Sequence, residues 1–221
     1  MSVWAVLVAA GAGERLGDDR PKAFARLGDR PLLAESLARL DACDWIDRIV
    51  VAAPPGWEEP AILVAEELVA SKVVACVTGG ATRAESVRAA LAEVDESAVA
   101  VLVHDAARPL VTDAVIQRVL APLAEGFAGA IPGIGLPDTI KRVKQGIVRE
   151  TVDRAGLVAV QTPQAFDADV LRRAYAGDLT DATDCSALVE AVGGRIRVVE
   201  GDVRLLKITT RADLDLVASW L

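Results

Sequence analysis

A mostly parallel α/β sheet with helices on both faces is the fold class that three observations predict. Strand-like apolar runs and helix-like segments alternate through most of the chain, the ordering that yields a parallel sheet. The strand-like runs are rich in Val, Ile, Leu and Ala, as strands covered on both faces are. The 221 residues, 52% of them hydrophobic, are enough for one large core of a single domain, 1–221.

In chain order, strands are expected at Val3–Val8, Arg48–Ala53, Lys72–Thr78, Ala98–Val103, Ala128–Ile134 and Arg195–Val199. Helices fit Leu32–Leu40, Glu58–Val69, Arg83–Val94, Asp113–Ala124, Ala168–Ala176, Asp184–Val192 and Arg211–Trp220. Start signals support two of them. Thr82-Arg83-Ala84-Glu85 has the spacing of a capping box, and Thr112 or Asp113 can cap the next helix. Residues 137–156 break the alternation: two β-rich stretches flank Gln145-Gly146, which predicts a hairpin. A hairpin is marginal alone in water, so Ile140, Val143, Ile147, Val148 and Val152 need a covering surface. It either packs back on its own domain or reaches onto a second copy of the chain; its place between core elements favours a protruding arm that a second copy covers.

Composition excludes several classes. A net charge of −8 and a pI near 4.8 are the wrong balance for a nucleic-acid binder, although a few converging cations still suit a small polyanion. Arg15/Arg20/Lys22 and Lys141/Arg142/Lys144 are such clusters. Cys43, Cys76 and Cys185 lack metal-ligand spacing and are expected as buried, reduced thiols. No charged leader precedes an apolar core, and no run nears the roughly 18 apolar residues of a membrane span. A cytoplasmic protein that binds neither membrane nor nucleic acid is expected.

Three segments carry chemistry. Val3–Val8 runs into Ala9-Ala10-Gly11-Ala12-Gly13-Glu14-Arg15-Leu16-Gly17 and then Arg20-Pro21-Lys22. Glycines leave backbone N–H groups open to close approach, and Arg15 and Lys22 add full charge, a combination that suits a polyphosphate. The spacing matches neither G-x-G-x-x-G nor the P-loop, so a long wrapping loop is expected. The run Val101–Val103 ends in His104-Asp105-Ala106-Ala107-Arg108-Pro109, which puts Asp105 at the carboxyl edge of the sheet. Its carboxylate can hold Mg²⁺, while Arg108 can pair with it or meet a phosphate. His104, the only histidine, is expected to be structural, and no G-x-S-x-G elbow accompanies it. Thr78-Gly79-Gly80-Ala81-Thr82 follows another strand and leaves backbone groups free to meet a flat ligand edge, with Ser86 one turn into the helix. A pocket walled so closely admits a pyrimidine more readily than a purine.

With these motifs in order, the chain resembles the 2-C-methyl-D-erythritol 4-phosphate cytidylyltransferases, nucleotidyltransferases of Rossmann-like fold. The resemblance is carried by Ala9-Ala10-Gly11-x-Gly13-x-Arg15, Pro21-Lys22, Gly79-Gly80-x-x-Arg83, His104–Pro109, Asp138-Thr139-x-Lys141-Arg142, Thr162-Pro163-Gln164 and Lys207-Ile208-Thr209. It implies CTP and a polyol phosphate as substrates, a divalent cation such as Mg²⁺, and a homodimer built through the 137–156 arm. By the same resemblance, Ala9, Ala10, Gly11, Ala12 and Gly13 cradle the CTP phosphates, and Gly80, Ala81 and Ser86 meet cytosine and ribose. Asp105, beside Ala106, places the metal. Arg15, Lys22, Arg154 and Lys207 are the implied catalytic cations. Asp105, Arg108, Thr139, Arg154, Thr162, Thr183 and Lys207 form the implied polyol phosphate site. The chain departs from the family pattern at Leu205, where a polar residue is usual, leaving Asp202 or CTP itself to complete the metal's ligands. A ribitol phosphate cytidylyltransferase would share these motifs. A nicotinamide oxidoreductase needs a glycine at 16, and a non-catalytic nucleotide binder has no use for Arg15, Lys22 and Asp105 together.

Overall fold

The computed structural model describes residues 2–11, 13, 20–180, 182 and 184–221. β1 (Ser2–Val8) is followed by a 3-10 turn at Lys22–Phe24 and a small ribbon, β2 (Arg26–Leu27) and β3 (Arg30–Pro31). Then come α1 (Leu32–Ala42), β4 (Arg48–Ala53), α2 (Glu58–Glu67), β5 (Val73–Thr78), α3 (Arg83–Leu91), β6 (Ala98–Asp105), α4 (Asp113–Ala124) and β7 (Gly129–Gly135). The hairpin β8 (Ile140–Lys144) and β9 (Ile147–Val152) precedes β10 (Val158–Val160), β11 (Gln164–Asp167), α5 (Ala168–Tyr175) and α6 (Cys185–Ala191). β12 (Ile196–Glu200), a 3-10 turn at Val203–Leu205 and α7 (Arg211–Ala218) complete the chain.

The main sheet has eight strands, six of them parallel, in the order β5-β4-β1-β6-β11-β7-β12, with β10 beside the far end of β7. Successive side chains of β1 point to opposite faces, so Ala5 and Leu7 enter one core and Trp4 and Val6 the other. The first core lies under α1, α2 and α4, the second under α3, α5 and α6. A third cluster, Ala25, Leu27, Leu32, Leu110, Ile208, Leu214 and Val217, ties the 22–32 segment to α7.

Every strand and helix expected from the sequence forms, with ends shifted by no more than three residues. Four short strands go unannounced by the sequence: the β2–β3 ribbon and, in the main sheet, β10 and β11. The latter two are antiparallel, and β11 exists because Gln164–Asp167 fits between Val103 and Gly129, a tertiary pairing no local pattern signals. Phe166, fully buried there, contributes about 2–3 kcal/mol by leaving water. The 137–156 hairpin forms as its own two-stranded sheet and does not pair with the main one. Val143, Ile147 and Val148 stay 54–59% exposed, so within one chain they have no covering surface.

Candidate active site

β1 pairs with β4 on one side and β6 on the other, and the chain visits β4 and β5 before crossing back to β6. The carboxyl ends of β1 and β6 therefore mark the switch point where an open α/β sheet binds ligands. Val8 lies opposite both Ala52 and Asp105. The ladder runs on past the strand ends: the Ala9 N–H donates to the Ala52 carbonyl (2.9 Å), Ala106 to Val8 (3.0 Å) and Gly79 to Ala53 (2.7 Å). Three loops are thus held side by side. Between them lies a cavity of about 240 Å³ lined by Ala9, Ala10, Gly11, Lys22, Gly80, Ala81, Arg83, Ser86, Asp105, Ala106 and Lys207, among others. Three cations face one carboxylate in that lining, a local +2 in a chain of net −8.

Close approach dictates two of the glycines. A Cβ on Gly79 would collide with the Ala10 methyl and come within 2.9 Å of the Ser86 hydroxyl. Gly13, at φ +76°, lies against the backbone and Cβ of Lys22, so any side chain would push that lysine away. The expected free amides of the Gly79-Gly80 turn need correction. Gly79 donates to Ala53, and Gly80 donates to Ser86 Oγ at 3.1 Å. Ser86, 2% exposed, in turn donates to the Thr82 carbonyl (2.9 Å), so its hydroxyl knits the turn to α3. The capping box is present as expected: Thr82 Oγ1 accepts from the Glu85 N–H, and Glu85 Oε2 accepts from the Thr82 N–H. Thr112, by contrast, sits at its N-cap without a side-chain bond.

Asp105 is the electrostatic centre. Its Oδ1 accepts from Arg83 Nε at 2.9 Å and its Oδ2 from Lys207 Nζ at 2.7 Å. Burial pushes the Asp105 carboxyl up, but Arg83 and Lys207 outweigh it and hold the group far below the usual carboxylate range. Beneath it, the Asp105 N–H donates to Thr162 Oγ1 (3.0 Å), which lies 3.2 Å from His104 Nδ1, while His104 Nε2 lies 3.0 Å from the Arg108 carbonyl. A carbonyl can only accept, so Nε2 carries the proton and Nδ1 accepts from Thr162. Burial lowers the His104 pKa to about 4, and the ring is neutral scaffold.

Two residues expected at the polyol phosphate also make contacts within the protein. Thr162 is 4% exposed, and both roles of its hydroxyl are spent on Asp105 and His104. Arg108 does not pair with Asp105; its Nη1 donates to the Leu205 carbonyl at 2.6 Å, bracing the segment that carries Lys207. Thr139 and Arg154 are exposed on the arm, away from this cavity's lining, and Arg154 donates to the Leu136 carbonyl (2.9 Å). Ala12, Arg15 and Thr183 lie outside the described residues. All three cysteines are free; Cys43 and Cys185 are buried as expected, whereas Cys76 is only half-buried.

The sequence profile of 2-C-methyl-D-erythritol 4-phosphate cytidylyltransferase matches residues 3–221. The chain belongs to this cytidylyltransferase family. A protein of Nocardia farcinica bearing that name is 45% identical over 221 residues, covering all of this chain and 94% of its own. One from Saccharopolyspora erythraea is 43% identical over 225 residues and all of both chains. The crystal structure of 2-C-methyl-D-erythritol 4-phosphate cytidylyltransferase from Thermus thermophilus superposes with a TM-score of 0.80 at 35% identity, over 97% of this chain and 96% of that one.

For a cytidylyltransferase the departure at Leu205 now has a physical reading. Leu205 is fully buried in the first core, and Asp202 turns back to cap the Arg204 N–H at 2.8 Å. Asp202 is absent from the cavity lining, and the described residues contain no cluster of three metal-ligating side chains. The donor set fits a hard cation that takes one carboxylate and completes its shell with phosphate oxygens and water, since each Asp105 oxygen keeps a second lone pair. Sequence reasoning assigned no role to Arg83, Ser36 or Gln161. Ser36 Oγ donates to the Ala106 carbonyl (2.8 Å), and the Gln161 amide both donates to and accepts from the Asp202 backbone. Only Arg83 had a signal, its fixed offset from Gly79-Gly80.

Proposed function

We propose that this chain transfers the cytidylyl group of CTP to 2-C-methyl-D-erythritol 4-phosphate, an isoprenoid-precursor step that releases pyrophosphate. The observation that carries the reading is Asp105, clamped between Arg83 and Lys207, in the lining of a cavity shared with Lys22, Gly11 and Gly80, in a chain matched to the family from residue 3 to 221. An oxygen of the phosphate monoester attacks the α-phosphorus of CTP, and the bond from that phosphorus to the β-phosphate's bridging oxygen breaks. The monoester's second pKa near 6 leaves it mostly dianionic at pH 7, so no general base is required. This agrees with a lone histidine that is buried and neutral.

The obstacle is repulsion between two polyanions. Lys207, held by Asp105 before the substrates arrive, and Lys22 in the same cavity lining meet charge that grows on the α-phosphate as attack proceeds. The backbone of Ala9–Gly11 supports the triphosphate, and Arg15 adds a further cation. Asp105 would hold Mg²⁺ or a similar cation, which when bound supplies Lewis-acid polarisation of the phosphates.

The arm is assigned to a partner's site: Thr139 and Arg154 hold the polyol phosphate there, and the exposed Val143, Ile147 and Val148 are covered by the second chain. Free thiols and a nucleotide substrate support a cytoplasmic enzyme, and no helix among the described residues is long and apolar enough to cross a membrane. Pyrophosphate release tests the reading. CTP with methylerythritol phosphate should support turnover, while ATP, GTP or UTP, or ribitol phosphate in place of the acceptor, should support at most a few per cent. No release with CTP and methylerythritol phosphate would overturn it.

A further inference from the structure

Arg83 reaches past Asp105. Its Nε is spent on the Asp105 carboxylate, but the far side of the guanidinium faces away from the cavity, toward the α5–α6 pair. There Nη1 donates to Cys185 Sγ at 3.3 Å, and the Tyr175 hydroxyl donates to the same sulfur at 3.1 Å. Cys185 is fully buried and Tyr175 4% exposed, so neither touches ligand. Arg83 Nη2 is buried with no acceptor among the described residues. We propose that Cys185 and Tyr175 are positioning residues for the cytidylyl transfer, a thiol and a phenol that hold Arg83 in the one orientation that clamps Asp105. The inference rests on the reading above, in which Asp105 works beside the reacting phosphates.

The planar geometry of the guanidinium explains why a second hold matters. A planar fork held at one end only can swing about that contact; held at both ends it cannot. The sulfur is the second hold. It accepts two hydrogen bonds, and the Tyr175 hydroxyl fixes where it sits. Without the sulfur, Nη1 would join Nη2 as a buried donor with no acceptor, a state costly enough to drive the side chain out toward the open cavity. Asp105 would then keep Lys207 alone, and the carboxylate would turn with it. Position 185 opens α6, where alanine is at least as good a helix former as cysteine. The acceptor is therefore separable from the helix.

Single-turnover transfer from CTP to methylerythritol phosphate tests the proposal, because a folding defect lowers the amplitude whereas a misplaced Arg83 lowers the rate constant. Cys185→Ala should reduce the rate constant about tenfold at full amplitude, with KM for CTP within about twofold. Cys185→Ser, which restores an acceptor, should recover to within about threefold of wild type. Tyr175→Phe, which keeps the ring and removes only the hydroxyl, should cost about threefold and decides the matter if Cys185→Ala does not fold. An unchanged rate constant in Cys185→Ala, or in Tyr175→Phe when that variant decides, or a Cys185→Ser variant no better than Cys185→Ala, would overturn the inference. Wild-type protein without turnover would instead overturn the proposed function, so the two failures are distinguishable.

Discussion

At the scale of single residues, the site separates groups that hold from groups that act. His104 stands beside the carboxylate of the cavity lining, yet burial keeps it neutral and its two nitrogens only relay order from Arg108 to Thr162 and so to the Asp105 backbone. That neutrality has a pH signature. The folded pKa, about 4, lies below the ordinary 6.5, so the unfolded chain takes the proton first. The stability that this histidine contributes is complete above pH 6.5 and is lost as pH falls toward 4, about 3 kcal/mol over the window. Urea unfolding of wild type and His104→Gln at pH 7 and pH 4.5 should show a smaller pH-dependent loss in the variant. Equal losses would mean that His104 is protonated in the fold.

Loops and elements are where the sequence spends its glycines. Gly79 allows the turn after β5 to lie against Ala10, and Ser86 reaches back from α3 to complete the contact. The β1 loop and the β5 loop are in this way one wall, built from two distant stretches of chain. Gly79→Ala brings a methyl into the Ala10 side chain and the Ala53 carbonyl, so one loop must retreat. The expected outcome is a loss of CTP affinity of at least tenfold by calorimetry, with a fall in stability of about 1–3 kcal/mol from overpacking. Unchanged affinity would show that the two loops bind independently. The elements themselves were legible: the Thr82–Glu85 capping box and the full span of α4 follow from local pattern, because cap and helix contacts lie within a few residues of each other. β10 and β11 were not legible, because their partners lie 23 (Val158 to Gly135) to 67 (Asp167 to Ala100) residues away in the sequence.

The whole molecule is a sheet covered on both faces, with one unsatisfied appendage. The hairpin leaves its apolar side chains largely uncovered on its own chain, yet the segment carries Thr139 and Arg154, the residues assigned to the acceptor phosphate. If the arm serves a partner's cavity, two crippled subunits should repair each other. Lys22→Ala is expected to lower turnover by on the order of 10²–10³, the usual effect of losing one preorganised donor, and Arg154→Ala is expected to weaken acceptor use severely. Co-expressed, the two variants form mixed dimers in which one site carries both lesions and the other carries neither. Statistical assembly then returns about a quarter of wild-type activity. Activity that stays at the level of the parents would place each site within a single chain.

What the sequence by itself determined is the α/β class, the order of its main strands and helices, and the loops that line the cavity at the sheet's carboxyl edge. Each of these rests on short-range pattern: continuous apolar runs, capping spacing, glycines at strand ends, a carboxylate closing an apolar run. Only the tertiary structure decided who holds whom. It gave Asp105 to Arg83 and Lys207, residues 22 positions before it and 102 after it, and turned Arg108 away to Leu205. It also sank Thr162 beneath the site and put a thiol behind the key arginine. The physical reason is that ion pairs and buried hydrogen bonds are chosen by distance in space, which a one-dimensional pattern does not carry until the sheet has formed.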